Sequence, residues 1–150
     1  MLFRSDMTIE SPSLTKTAVA ERAAALLPEY REIIGSIPPE AGFGGIWESE
    51  MFLFYATVRP FAPKQILESG RARGKSTLVL ARCFPEARIV SVEYDRQSEN
   101  AAAAEAKLKS CPNVELLYGG FAKNFAATIA NRRRRFDRRS ERFSRPQVGC

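Results

Sequence analysis

The sequence predicts an α/β fold with a parallel sheet, and three observations carry that reading. Gln65–Asp95 reads as a short apolar strand, a glycine-bearing turn, a helix and a second apolar strand ending in acids. An alanine-rich helical stretch and a third apolar run, Val114–Phe121, follow it. Glu93 closes the second strand 19 residues after Gly74, at the sheet edge where the glycines also lie. Strands joined by a helical crossover run parallel. The expected architecture is therefore a Rossmann-like βαβαβα half of a doubly wound sheet, preceded by helices.

At the centre, Gln65–Ser69 carries Ile66 and Leu67 and suits a buried strand. Gly70 and Gly74 mark a tight turn. Gly70 has no Cβ, so a ligand can approach the backbone, and Gly74 opens a helix whose first N–H groups face a crevice. Lys75–Cys83 has helical spacing, Pro85 stops it, and Arg88–Glu93 is the next strand. The 19-residue interval is close to the roughly 20 residues after which an acid meets a ribose hydroxyl in dinucleotide-binding βαβ units. A nucleoside-bearing ligand is the leading physical reading; the plainer alternative is a tight turn in an α/β core.

At these residues the chain resembles the class I S-adenosylmethionine-dependent methyltransferases. Their first motif, an acid, any residue, glycine, three residues and glycine, stands here as Glu68-Ser69-Gly70-Arg71-Ala72-Arg73-Gly74. Ala72 replaces a frequent third glycine, as in the small O-methyltransferase-like branches, whose Ser-Thr pair matches Ser76-Thr77. Glu93 matches the ribose-binding acid of the family, and Val114–Phe121 resembles its third strand and following loop. Where the family usually has an acid or amide for the adenine amino group, this chain has Gly119-Gly120. The resemblance covers roughly residues 46–130 and implies O-methyl transfer to a small molecule. It implies a site for S-adenosyl-L-methionine formed by Glu68, Ser69, Gly70, Arg71, Gly74, Ser76, Glu93, Tyr94, Gly119 and Gly120, with Glu68 facing the cationic donor.

Two rivals remain at the glycine turn. Gly74-Lys75-Ser76 matches the ending of a phosphate-binding P-loop, but its required first glycine falls on Ser69, and Glu68 would repel a polyphosphate. A nicotinamide dinucleotide site would want glycine at position 72 and no acid beside the pyrophosphate.

With 150 residues, 45% of them apolar, there is room for one domain with a core. Residues 1–45 read as an N-terminal helix and loop, 46–131 as the incomplete cofactor-binding domain, and 132–150 as a disordered tail. Ser11–Leu27 is expected to be helical, with Pro28 breaking or kinking it before a short piece, Pro28–Ile34. Gly35–Gly45 is a loop by composition. Ile46–Val58 is a helix whose stripe of Trp47, Met51, Phe54, Tyr55 and Val58 reads as core. Gln97–Ser110 is a helix around Ala101–Ala104, and Phe121–Ala130 is a further one with Phe121, Phe125 and Ile129 on one face.

No apolar run approaches the roughly 20 residues that span a bilayer, and Arg4, Asp6 and Glu10 argue against a signal peptide. Three cysteines without metal spacing suit reduced thiols in the cytoplasm. The absence of histidine excludes His-containing zinc sites and Ser-His or Cys-His nucleophile pairs. Tyr94, Asp95 and Lys123 have the chemistry of a base for an acceptor hydroxyl, but nothing in the pattern assigns them that role.

Residues 132–150 hold eight arginines against Asp137 and Glu141. Their charge of +6 equals that of the whole chain, so residues 1–131 are neutral. Nucleic acid is therefore expected to be held only through Arg132–Arg145, non-specifically. The family needs a fourth apolar strand here, and the arginine repeats cannot form one. The end reads as truncated or frame-shifted, without the acceptor half. In a doubly wound sheet the first strand would then be an open edge, and self-association is expected.

Overall fold

The computed structural model describes residues 12–38 and 46–129. Helix α1 spans Lys16–Gly35 and is capped by Thr15, whose hydroxyl accepts the N–H of Ala18 at 3.3 Å. Pro28 neither breaks nor divides it, contrary to the sequence reading. A proline forfeits the hydrogen bond to the carbonyl four residues back. Both Pro28 and Ala24 lie on the exposed side of α1, where water can take that carbonyl.

Helix α2, Glu48–Val58, begins where the Trp47 N–H donates to Glu50 Oε2 at 3.0 Å. Its Met51, Tyr55 and Ala56 are buried. The rings of Phe52 and Tyr55 lie 5.0 and 5.6 Å from Tyr30 of α1, whose hydroxyl donates to the Glu48 carbonyl at 3.2 Å. The aromatic stripe is thus only partly core. Trp47 precedes the first helical turn and is 76% exposed, and Phe54 lies at the surface while its ring edge meets Phe84. A 3-10 turn, Arg59–Phe61, leads to the sheet.

Strand β1 (Gln65–Ser69), helix α3 (Lys75–Cys83) and strand β2 (Arg88–Glu93) occupy the spans read from the sequence. Helix α4, Glu99–Leu108, is two residues shorter at each end than expected, because Ser98 caps it by accepting the Ala101 N–H at 3.2 Å. Strand β3 is Val114–Tyr118, and helix α5 covers 121–129. The strands are parallel in the order β1-β2-β3, with Glu68 opposite Ser91 and Glu93 opposite Tyr118. This is the expected α/β half-sheet.

The core lies between one face of this sheet and the helices. Ile66 and Ile89 meet Leu78, Leu80 and Leu108 there, beside Tyr30, Met51, Tyr55 and Phe84. Cys83 and Cys111 are free and buried in the same cluster. At the amino edge of the sheet the side-chain nitrogen of Asn113 lies 3.2 Å from each of the carbonyls of Ala81, Phe84 and Ala87. It closes the end of α3 and the turn into β2. Among the described residues no helix is long and apolar enough to cross a membrane. The arginine-rich segment 132–150 lies outside the described residues.

Candidate functional site

The carboxyl ends of the three strands, the turn between β1 and α3, and the loops after β2 and β3 form one edge of the sheet. Gly70 has φ +75°, and nothing lies within 4 Å of where a Cβ would stand. The backbone is open there, as a ligand-approach position requires. Gly74 has φ +78°, but its hidden face is crowded: an added Cβ would stand 3.1 Å from Ala104 Cβ and 3.3 Å from Ala104 Cα. One glycine therefore opens the crevice, and the other lets α3 start close against α4. Between them Ala72 also takes a left-handed conformation, φ +44°, at the position where a third glycine is frequent in the resembling family.

Glu93 stands at the end of β2 facing this turn. Its Oε2 accepts the Ala72 N–H at 2.9 Å and its Oε1 accepts the Tyr94 N–H at 2.8 Å. Each oxygen keeps a lone-pair direction, so the carboxylate is oriented without being used up. The Glu93 carbonyl also receives the Gly119 N–H at 2.9 Å, which ties the loop after β3 to the same point. Tyr94 is 81% exposed and Gly120 is open.

Glu68 has a different setting from the one expected. Its carboxylate accepts the hydroxyl of Ser76 on Oε1, and those of Thr77 at 2.5 Å and Ser91 at 2.6 Å on Oε2. Thr77 and Ser91 are fully buried. Three hydroxyls account for most of the roughly four acceptor directions of a carboxylate. Glu68 therefore knits β1, α3 and β2 together, and Ser76 turns toward it rather than into the crevice. Sequence reading noted Thr77 only as a motif match and missed Ser91. The available signal for Ser91 was a serine interrupting the apolar run Ile89–Val92 of the strand.

Arg71 also departs from a ligand-facing role. It is 2% exposed, and its Nη1 donates to the carbonyls of Ser91 at 2.8 Å and Leu117 at 3.1 Å. Its guanidinium lies 4.4 Å from the centroid of the Tyr118 ring. Ser69 is exposed at the end of β1.

The P-loop-like ending is not arranged for phosphate. The Gly74 N–H is donated to the Arg71 carbonyl at 2.7 Å, and Lys75 stands 3.9 Å from Glu48. Lys107 reaches the Arg73 carbonyl at 2.9 Å, and its pKa is lowered by burial and then by the nearby charges of Arg73 and Lys75. Among the described residues no group of three or more acidic, cysteine or histidine side chains is placed to hold a metal ion.

No protein-family model matches the chain, and no curated protein matches it. Solved structures similar to it include the O-methyltransferase TomG from Streptomyces achromogenes, involved in tomaymycin synthesis and crystallised with SAM. That likeness has 27% identity and a TM-score of 0.45 over 76% of this chain and 47% of the other. An O-methyltransferase from Bacillus cereus in complex with SAH is 21% identical, with a TM-score of 0.47 over 85% of this chain and 52% of that one. A SAH-bound methyltransferase from Podospora anserina is 22% identical, with a TM-score of 0.45 over 80% and 56%. The chain spans about half the length of these solved structures.

Proposed function

We propose that this chain carries the donor-binding half of an S-adenosylmethionine-dependent methyltransferase acting by O-methyl transfer on a small molecule. The observation that carries the reading is the setting of Glu93. It is an acid at the carboxyl end of the second parallel strand, fixed by the N–H groups of Ala72 and Tyr94, with acceptor capacity left on both oxygens. That is the requirement for taking the two vicinal hydroxyls of a ribose. Beside it, the open backbone at Gly70 suits the close passage of a ligand chain.

The residues present fit such a donor at the nucleoside end. Glu93 would take the ribose, Gly119 and Gly120 would border the base, and the exposed ring of Tyr94 would stand beside it. At the amino-acid end, Glu68 contributes negative charge to the floor through the hydroxyls it holds rather than a free carboxylate. When bound, S-adenosylmethionine supplies a methyl group on a sulfonium, and the chain contributes binding and orientation. None of Tyr94, Asp95 and Lys123 is arranged by a hydrogen bond as a base toward the crevice, and we assign no catalytic residue.

Calorimetric titration tests the proposal, with S-adenosylmethionine and ATP as parallel ligands. Saturable binding of the first, weakened about tenfold or more by Glu93→Gln, is the expected result, since a charged acceptor lost from a hydroxyl pair costs about 1.5–3 kcal/mol. Binding of ATP alone, or of neither ligand, overturns it.

A further inference from the structure

We propose that Arg71 is the positioning residue for the nucleoside end of the site, holding the ends of β2 and β3 so that Glu93 and Gly119 face the ligand together. The inference rests on the donor-binding reading above and deepens it.

Arg71 follows Gly70 in the turn, yet its side chain passes inward and is almost wholly removed from solvent. One nitrogen, Nη1, donates to two carbonyls on neighbouring strands, Ser91 on β2 and Leu117 on β3. These positions stand two residues before Glu93 and Gly119 respectively. Just beyond the clamp, the Gly119 N–H meets the Glu93 carbonyl at 2.9 Å and the Ala72 N–H meets the Glu93 carboxylate at 2.9 Å. A single guanidinium therefore ties the turn, the acid-bearing strand end and the third-strand loop to one another.

The guanidinium is cushioned by the ring of Tyr118, 4.4 Å from its centroid, and Arg96 lies 5.4 Å from the same centroid. The Tyr118 hydroxyl donates to Glu105 Oε1 on α4 at 2.6 Å, so the cushion is itself anchored to a helix. A cation on an aromatic face gains most where water is excluded.

This arrangement is expensive for stability alone. Nε and Nη2 of Arg71 are buried without a hydrogen-bond partner, and none of the ion pairs among the described residues involves this side chain. A buried charge without a counter-ion carries a desolvation penalty that an apolar side chain of similar length would avoid. What an apolar residue cannot supply is one group bonded to two carbonyls on adjacent strands. The geometric service distinguishes arginine here.

The test combines ligand binding with hydrogen exchange. S-adenosylhomocysteine is titrated into the wild type, Arg71→Lys, Glu93→Gln and the double variant. If Arg71 acts through Glu93, Arg71→Lys weakens binding by about tenfold in the wild type and by less than about twofold beside Glu93→Gln. Equal losses in both backgrounds overturn the proposal. In the ligand-free protein, amide exchange at Ala72 and Gly119 accelerates in Arg71→Lys, while Ile89, bonded to Asn113 at the opposite edge, keeps its wild-type rate. Uniform acceleration at all three, or none, overturns it. Should Arg71→Lys not fold, Tyr118→Leu removes the cushion without altering the turn, and the same exchange pattern is expected. A wild type that fails to bind S-adenosylhomocysteine refutes the donor-binding reading and the nucleoside role together, whereas binding with additive losses refutes the Arg71 proposal alone.

Discussion

Ser91 Oγ donates to Glu68 Oε2 at 2.6 Å across the register pair that these two residues form between β2 and β1. Ser76 and Thr77, the second and third residues of α3, donate to the same carboxylate. Glu68→Ala strands the buried hydroxyls of Thr77 and Ser91. Hydrogen bonds to a charged group contribute about 1.5–3 kcal/mol each, and an unsatisfied buried polar group costs about 1–3 kcal/mol. We expect Glu68→Ala to lower the unfolding free energy by about 2–4 kcal/mol. Glu68→Gln, which keeps one acceptor oxygen, is expected to lose about half of that. Urea titration of the two variants checks the ordering. Equal stability of Glu68→Ala and wild type would sink the assignment of Glu68 as the hub.

Gly74→Ala meets two obstacles at once. A left-handed conformation costs a residue with a Cβ about 1–2 kcal/mol, and the new methyl would stand 3.3 Å from the Ala104 backbone. Overpacking of this kind adds about 1–3 kcal/mol. Gly70→Ala shares the first cost only, because the space beside it is open. Thermal unfolding should therefore rank Gly74→Ala well below Gly70→Ala in stability, while Gly70→Ala loses ligand binding through the filled crevice. The reverse stability order would contradict the packing of α3 on α4.

Alkaline unfolding follows from the core. Burial pushes the Cys83 thiol up to about 12 and the Tyr55 phenol up to about 12, and it raises Tyr30 as well. Each folded-state pKa lies above its unfolded value, 9.0 for the thiol and 10.0 for the phenols. The stabilisation is therefore complete below pH 9 and is lost as pH rises from there toward about 12. Melting temperature measured from pH 8 to 11 should fall progressively, with the onset near pH 9 removed in Cys83→Ala. Iodoacetamide should leave Cys83 unmodified at neutral pH while the chain is folded.

Nothing among the described residues pairs with the outer edge of β1, since the sheet runs β1-β2-β3. We expect a second copy of the chain to cover that edge, because an unpaired strand edge templates pairing. Light scattering should report a mass above 16.8 kDa that grows with concentration. A constant monomer mass across the range would exclude this.

The parts of the fold that were legible in the sequence are those set by local punctuation. Gly70, Gly74 and Pro85 bracket β1, α3 and β2, and a strand as rich in β-branched residues as Arg88–Glu93, with Ile89, Val90 and Val92, leaves little choice of state. The place of Glu93, facing the glycine turn, was legible because it depends only on the length of one βαβ unit. The roles of Glu68 and Arg71 were not. Those roles depend on which side chains the strand register and the helix crossover bring together, and nothing local encodes that Glu68 meets Ser91 or that Arg71 reaches Leu117. Pro28 misled for a related reason: its cost depends on which side of α1 faces water, as the exposed Ala24 shows. Trp47 kept the spacing of the stripe but falls just before the helix, where that spacing has no meaning.

Asn113 gathers three carbonyls at the edge of the sheet opposite Glu93. Its amide braces the amino edge, away from the strand ends that carry Glu93. Exposed loop side chains at the carboxyl edge can then be varied while the end of α3 and the starts of β2 and β3 stay joined from below. A designer seeking a different ligand for this half-sheet would vary the exposed side chains at 94–97 and the open position 120, and leave Asn113 and the left-handed Gly119 alone.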